Sequence, residues 1–201
     1  MKRLLPLLLL VPSVLAAQPE PGGGKRPGTF FEDTAGPPAR RAYALGVLGY
    51  TGGTWQPSGI EFAALWRVGR TSGLSAGPTV ALGSFVQDQA VLLGRSRGFF
   101  AAFGLTARDA LLDLIAVGSE RSPAEIRLEV TADVAWSADF DSPLPQGKWD
   151  LRAALLPGIT FGSEDALGNS IGVFYGPAAL VGRSSTTTHG EFVLRFRMPI
   201  H

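Results

Sequence analysis

Ile126 to Trp136 reads I-R-L-E-V-T-A-D-V-A-W. Ile126, Leu128, Val130, Ala132, Val134 and Trp136 alternate with Arg127, Glu129, Thr131, Asp133 and Ala135. Successive side chains of a β-strand point to opposite faces, so this segment has one apolar face and one charged face. The same period of two recurs along the chain. It predicts strands at Tyr43–Tyr50, Ile60–Val68, Leu74–Phe85, Phe99–Arg108, Ala124–Trp136, Trp149–Phe161, Ile171–Val181 and Phe192–Ile200. Most of these are about as long as a tilted strand needs to be to cross a bilayer.

The expected fold is therefore all-β, an eight-stranded antiparallel up-and-down transmembrane β-barrel spanning residues 42–201. Upstream, residues 1–17 read as a signal peptide: Met1-Lys2-Arg3, an apolar run from Leu4 to Leu15, then Ala16-Ala17. The run is too short for a membrane-spanning helix, and no later segment is long and apolar enough for one. Residues 18–41 carry Pro and Gly without periodicity and read as a flexible leader. An even number of strands returns both ends to one side, here the periplasm. The predicted outer loops are Thr51–Gly59, Val86–Gly98, Ser137–Lys148 and Gly182–Gly190. Asp109–Pro123 fits poorly. Leu111-Leu112 and Leu114-Ile115 are apolar in runs of two, which suits either a short helix or a fourth strand extended through a bulge.

Composition narrows the classes. The formal charge is +1, from 18 Lys and Arg against 17 Asp and Glu; loss of Lys2 and Arg3 with the signal leaves 16 against 17, or −1. A near-neutral exported chain has no electrostatic case for nucleic-acid binding. Without cysteine there are no disulfides, thiolate catalysis or thiolate metal sites.

Alternation alone fits a soluble calyx as well as a membrane barrel; the two differ in which face is apolar. Three features favour an apolar exterior. Lysine occurs only at positions 2, 25 and 148, outside every predicted strand. Soluble sheets use lysine freely on their wet faces and edges. The polar faces mix small residues with charges of both signs: Glu61, Arg67, Arg108, Glu125, Arg127, Glu129, Asp133, Asp150, Arg152, Arg195 and Arg197. Arg is the better partner for buried carboxylates, so these predict a paired network filling a narrow lumen. The apolar-face aromatics sort by height, Phe99, Trp136, Trp149 and Phe192 near the outer ends and Tyr43, Trp66 and Phe161 near the inner ends. Two such girdles suit the two bilayer interfaces.

This pattern resembles the small eight-stranded outer-membrane barrels typified by the transmembrane domain of outer membrane protein A, over Ala42–His201. The resemblance implies residence in the Gram-negative outer membrane, contact with its lipids, insertion by the barrel-assembly machinery, and a monomer. Phe192, Phe196 and Ile200 keep the spacing of the family's last strand, while Pro199 and His201 depart from its aromatic end. Pro78, Pro157 and Pro177 lie inside predicted strands, where bulges are expected.

No motif assigns an activity. Gly73-Leu74-Ser75-Ala76-Gly77 has the G-x-S-x-G spacing but opens a strand rather than a strand–helix elbow. Gly24-Lys25 lacks the context of a phosphate loop. His189, in a Ser/Thr-rich loop, lacks the partners a lipid hydrolase needs. Asp139, Asp141 and Asp150 offer oxygen ligands for calcium but not the EF-hand spacing. The expectation is a non-enzymatic barrel without catalytic residues, metal or cofactor, serving a structural or surface-interaction role with no open pore. The rivals are an outer-membrane lipid-modifying enzyme and a soluble periplasmic lipid-binding calyx.

Overall fold

The computed structural model describes residues 39–200, apart from 53, 70–72, 88–94, 120–121, 146, 164 and 166. The segments read as signal peptide and, for the most part, as leader, with Gly24-Lys25, lie outside the described residues. Eight strands follow in order: β1 (Arg41–Thr51), β2 (Trp55–Arg67), β3 (Ser75–Gln87), β4 (Ser96–Ser119), β5 (Ser122–Phe140), β6 (Trp149–Ser163), β7 (Ser170–Gly182) and β8 (Thr186–Ile200). Each pairs antiparallel with its neighbour in sequence. β1 pairs with β8 from Arg41↔Ile200 to Thr51↔Gly190 and closes the barrel. The rim holding Arg41 and Ile200 is the proximal rim; the opposite one is distal.

The alternation read from the sequence becomes an inside and an outside. In β5, Arg127, Glu129, Thr131, Asp133, Ala135, Ser137 and Asp139 are buried in the lumen. Val134 and Trp136 on the other face are 51 % and 71 % exposed. Across the middle of the strands the outward face is apolar, with Leu45, Ile60, Phe62, Val80, Leu82, Phe103, Leu105, Leu155, Ile159, Val173 and Met198 all exposed.

The strands run further than the alternation predicted. β2 starts at Trp55, β3 runs to Gln87, β4 starts at Ser96, β5 continues to Phe140 and β8 starts at Thr186, so all four expected distal loops are shorter. The added stretches, such as Trp55–Gly59 and Thr186–Glu191, lack a clear apolar–polar alternation, and pairing with the neighbouring strands carries the sheet through them. The ambiguous Asp109–Pro123 is strand. β4 passes through it, and the register with β5 slips at Ala110/Leu112 and again at Asp113/Ile115. At each slip two residues oppose one, leaving Leu111-Leu112 and Leu114-Ile115 exposed together. Doubled apolar residues were thus the trace of two bulges, not of a helix.

The prolines behave differently from expectation. Register is constant across β6 and β7, from Ala154↔Ala178 to Gly158↔Phe174, but pairs are missing between them. Pro157 and Pro177 both lie in that gap. Pro78 lies in a similar gap between Ala63↔Thr79 and Trp66↔Ala76. A missing N–H removes a rung without inserting a residue, so the ladder is interrupted rather than bulged. The third bulge falls at Ser84/Phe85.

Two apolar clusters fill the lumen towards its ends. At the proximal end the β6–β7 connection inserts Leu167, 1 % exposed, against Ala39, Ala42, Ala44, Ala63 and Leu65. Leu48, Tyr50, Phe85, Phe100, Leu156, Phe174 and Val193 form the other. Leu167→Ala should cost about 2–5 kcal/mol of stability by leaving a cavity, measured as a lower urea midpoint of the folded barrel.

Candidate functional site

The charged lumen holds most of the residues singled out from the sequence. Its middle is built by inward positions of β2, β4, β5, β6 and β8. Arg195 on β8 binds Glu61 on β2 through two nitrogens, with Nη2 to Glu61 Oε2 at 3.2 Å. It also donates to Asp133 Oδ2 at 2.9 Å and to Thr131 Oγ1 at 2.8 Å on β5. Arg108 approaches Glu61 at 3.7 Å. Arg197 grips Glu129 in a fork, 2.8 and 3.2 Å, and Thr160 donates to the same carboxylate at 3.0 Å. Arg152 binds Glu191 with two nitrogens, one at 3.0 Å, and reaches Asp133 at 3.9 Å. The Arg195 guanidinium also lies 5.1 Å from the centre of the Phe174 ring.

Charges in this layer balance. Arg108, Arg152, Arg195 and Arg197 face Glu61, Glu129, Asp133 and Glu191. All eight are buried. Placing such groups in a narrow lumen is tolerable because each faces an opposite charge and most add hydrogen bonds; among the described residues Arg108 has only the 3.7 Å approach to Glu61, and its Nε has no hydrogen-bond partner.

Other predicted members sit apart. Arg127 turns to the proximal end, donating to Asp113 at 2.7 Å and Glu125 at 2.6 Å. Arg67 joins Asp165 in the β6–β7 connection and donates to the Ala39 carbonyl at 3.2 Å. Asp150 is buried in the lumen, but neither of its carboxylate oxygens has a hydrogen-bond partner.

Glu191, Asp113 and Asp165 were not singled out. Counting back by two from Arg195 through Val193 places Glu191 inside the lumen, a signal present in the alternation. Asp113 was hidden by the two bulges, which shift its facing. Asp165 lies in a turn, where periodicity carries no information.

The aromatic residues chosen as girdles all face outward. Tyr43, Trp66, Phe99, Trp136, Trp149 and Phe161 are exposed, and Phe192 is half-buried. Phe140 stacks on Phe99 at 4.5 Å, and Tyr43 packs on Phe62 at 5.3 Å. β5 continues past Trp136 to Phe140, so Trp136 is further from the strand end than expected.

Ser75 of the G-x-S-x-G segment is buried at the start of β3, with no helix after it. The His189 ring packs on Tyr50, 4.4 Å between centres, and its buried Nε2 makes no hydrogen bond among the described residues. Of the three loop aspartates, Asp139 and Asp150 line one lumen cavity and Asp141 stands apart. Asp141 is exposed, in the left-handed region at φ 52°, and 3.6 Å from Arg97. Among the described residues, no group of three or more His, Cys, Asp or Glu side chains is placed to hold a metal ion. No protein-family model matches the chain, and no curated protein matches it.

Removing one side of the Arg152–Glu191 pair strands a buried charge. Arg152→Met should cost about 3–5 kcal/mol. Combined with Glu191→Gln it should cost less than the sum of the two single changes. A double-mutant cycle on denaturant midpoints reads the coupling, expected at about 1–3 kcal/mol.

Proposed function

We propose that this chain is a bacterial outer-membrane β-barrel with a structural or surface-interaction role and no open pore. The observation that carries the reading is the outward apolar band. Soluble monomers rarely expose a contiguous apolar patch beyond about 300–600 Å². Here the whole circumference is apolar across the middle of the strands, and the charged side chains are inside. A soluble calyx has the reverse arrangement, with polar side chains outside and an apolar cavity within. The band matches the sealed exterior that hydrocarbon requires, since a closed barrel satisfies its backbone without water.

On this reading the proximal rim, with both ends of the described chain, faces the periplasm, and the distal rim faces outward. Tyr43, Trp66 and Phe161 rest at one interface; Phe99, Trp149 and Phe192 rest at the other. The partners are outer-membrane lipids around the band and the barrel-assembly machinery during insertion, and the barrel works as a monomer. This is the arrangement of the small barrels typified by the transmembrane domain of outer membrane protein A. Side chains fill the lumen from the Leu167 plug to the distal aromatic rings, which supports a role without permeation. The β5–β6 connection at the distal rim is then available for contact with the surroundings.

Cell fractionation tests this directly. The chain is expected in the outer-membrane fraction, needing detergent for release and migrating faster on gels unboiled than boiled. Recovery in the soluble fraction without detergent overturns the proposal. In planar bilayers the purified barrel should give no steady conductance; stable channels would remove the no-pore part.

A further inference from the structure

The exposed charges of the distal rim gather on one side of the ring. Arg95 directly precedes β4 and Arg97 lies at its start; Lys148 directly precedes β6 and Arg183 directly follows β7. All four are exposed. The strands that carry them are tied together at this end by register. Phe99↔Phe140 joins β4 to β5, Ala138↔Trp149 joins β5 to β6, and Asp150↔Gly182 joins β6 to β7. Asp141 is the one exposed acid of this rim among the described residues, and it meets Arg97 at 3.6 Å. That pair is 53 % and 78 % exposed, so it holds Arg97 only weakly. No ion pair engages Arg95, Lys148 or Arg183 among the described residues.

The other side of the rim is different. Along β8, β1 and β2 its exposed residues are Thr51, Gly52, Thr54, Thr186 and Thr188, with no exposed charge among the described residues. The cationic side also stands directly over exposed aromatic rings. Lys148 adjoins Trp149 in the chain, and Arg97 lies two residues from Phe99, which stacks on Phe140 at 4.5 Å. Trp149 and Trp136 are 69 % and 71 % exposed.

An aromatic belt marks the depth at which acyl chains give way to headgroups. Cations just beyond it stand at the depth of lipid phosphates, and long basic side chains hold their charge there. Guanidinium groups match phosphate oxygens in a two-nitrogen fork, and an ammonium group adds a point charge. We propose that the distal rim over β4–β7 binds an anionic phospholipid, its phosphate held among Arg97, Lys148 and Arg183. The acyl chains then run down the exposed apolar face beneath, over Phe103, Leu105, Val134 and Leu155. The inference rests on the membrane reading above and adds which class of lipid is held, and where. A soluble anion would use the cations but leave the apolar face below them uncovered.

The test places the full chain in nanodiscs of equimolar phosphatidylcholine and phosphatidylglycerol, and native mass spectrometry counts the lipids it retains on release. Phosphatidylglycerol should be retained about fivefold or more over phosphatidylcholine, and added sodium chloride should reduce that preference. R97Q/K148Q/R183Q should bring it close to parity. R40Q/R41Q, which removes exposed charge from the proximal rim, should lower it less. The substituted side chains are all exposed, so the barrel should still fold, checked by its gel mobility before boiling. Should the triple variant misfold, Lys148→Gln alone must still lower the retention. Equal retention of both lipids by the wild-type chain overturns the proposal, as does a preference that the triple variant keeps or that R40Q/R41Q loses to the same extent. A preference abolished by inorganic phosphate at the concentration of the lipid identifies a free-phosphate site and overturns it too. All of these outcomes leave the membrane reading standing. A chain that stays outside the discs overturns that reading, and this proposal with it.

Discussion

The lumen dictates the rest of this structure. Eight strands enclose a space too narrow for bulk water, and the chain puts arginines and carboxylates into it. A lone charge there is prohibitive, so every inward charged position constrains the others. Arg195 illustrates the constraint. Its guanidinium serves Glu61 on β2 and both Thr131 and Asp133 on β5, from its own place on β8. The planar fork suits such multiple, directed contacts better than an ammonium group would. Gly46 belongs to the same arrangement: a Cβ there would collide with the Glu61 side chain. The small residues along the strands are thus the space into which the long ones fold.

The ends are handled by different means. Proximally, a turn enters the lumen with Leu167, and Asp165 in that turn accepts hydrogen bonds from Arg67 and from the Ala39 amide. Distally, aromatic rings close over the charges, with Phe85 and Phe100 5.9 Å apart. Apolar side chains also reach the level of the ion pairs, where Phe174 lies under Arg195, while Asp139 and Asp150 are buried beside the distal rings.

Strand number, facing and closure were legible because they depend on a period of two that survives in each segment. Arg127, Glu129, Thr131 and Asp133 could be assigned inward from seven letters of alternation. Strand ends were less legible, since Thr186–Gly190 and Trp55–Gly59 carry no apolar–polar alternation, whatever their residues' propensity. Asp109–Pro123 was ambiguous because a bulge shifts the period by one residue, and two bulges close together resemble helical spacing. Individual pairings were out of reach. Alternation places Arg152 and Glu191 on the inner surface, but which acid meets which guanidinium depends on tilt and register around the ring. The unpartnered state of Asp150 has the same origin: its facing was readable, its isolation was not.

The spread of the ion pairs around the ring bears on how the barrel comes together. Neighbouring strands in a meander find each other quickly, yet Arg195 and Glu61 are separated by most of the chain and meet only across the β1–β8 seam. A half-formed sheet containing β2 but not β8 leaves Glu61 without that partner, and one containing β6 but not β8 leaves Arg152 without Glu191. Partial sheets are penalised until the last strand arrives, and that strand resolves several penalties together. Closure is then the cooperative step, and the electrostatics of the interior act as a lock that engages only on the complete ring.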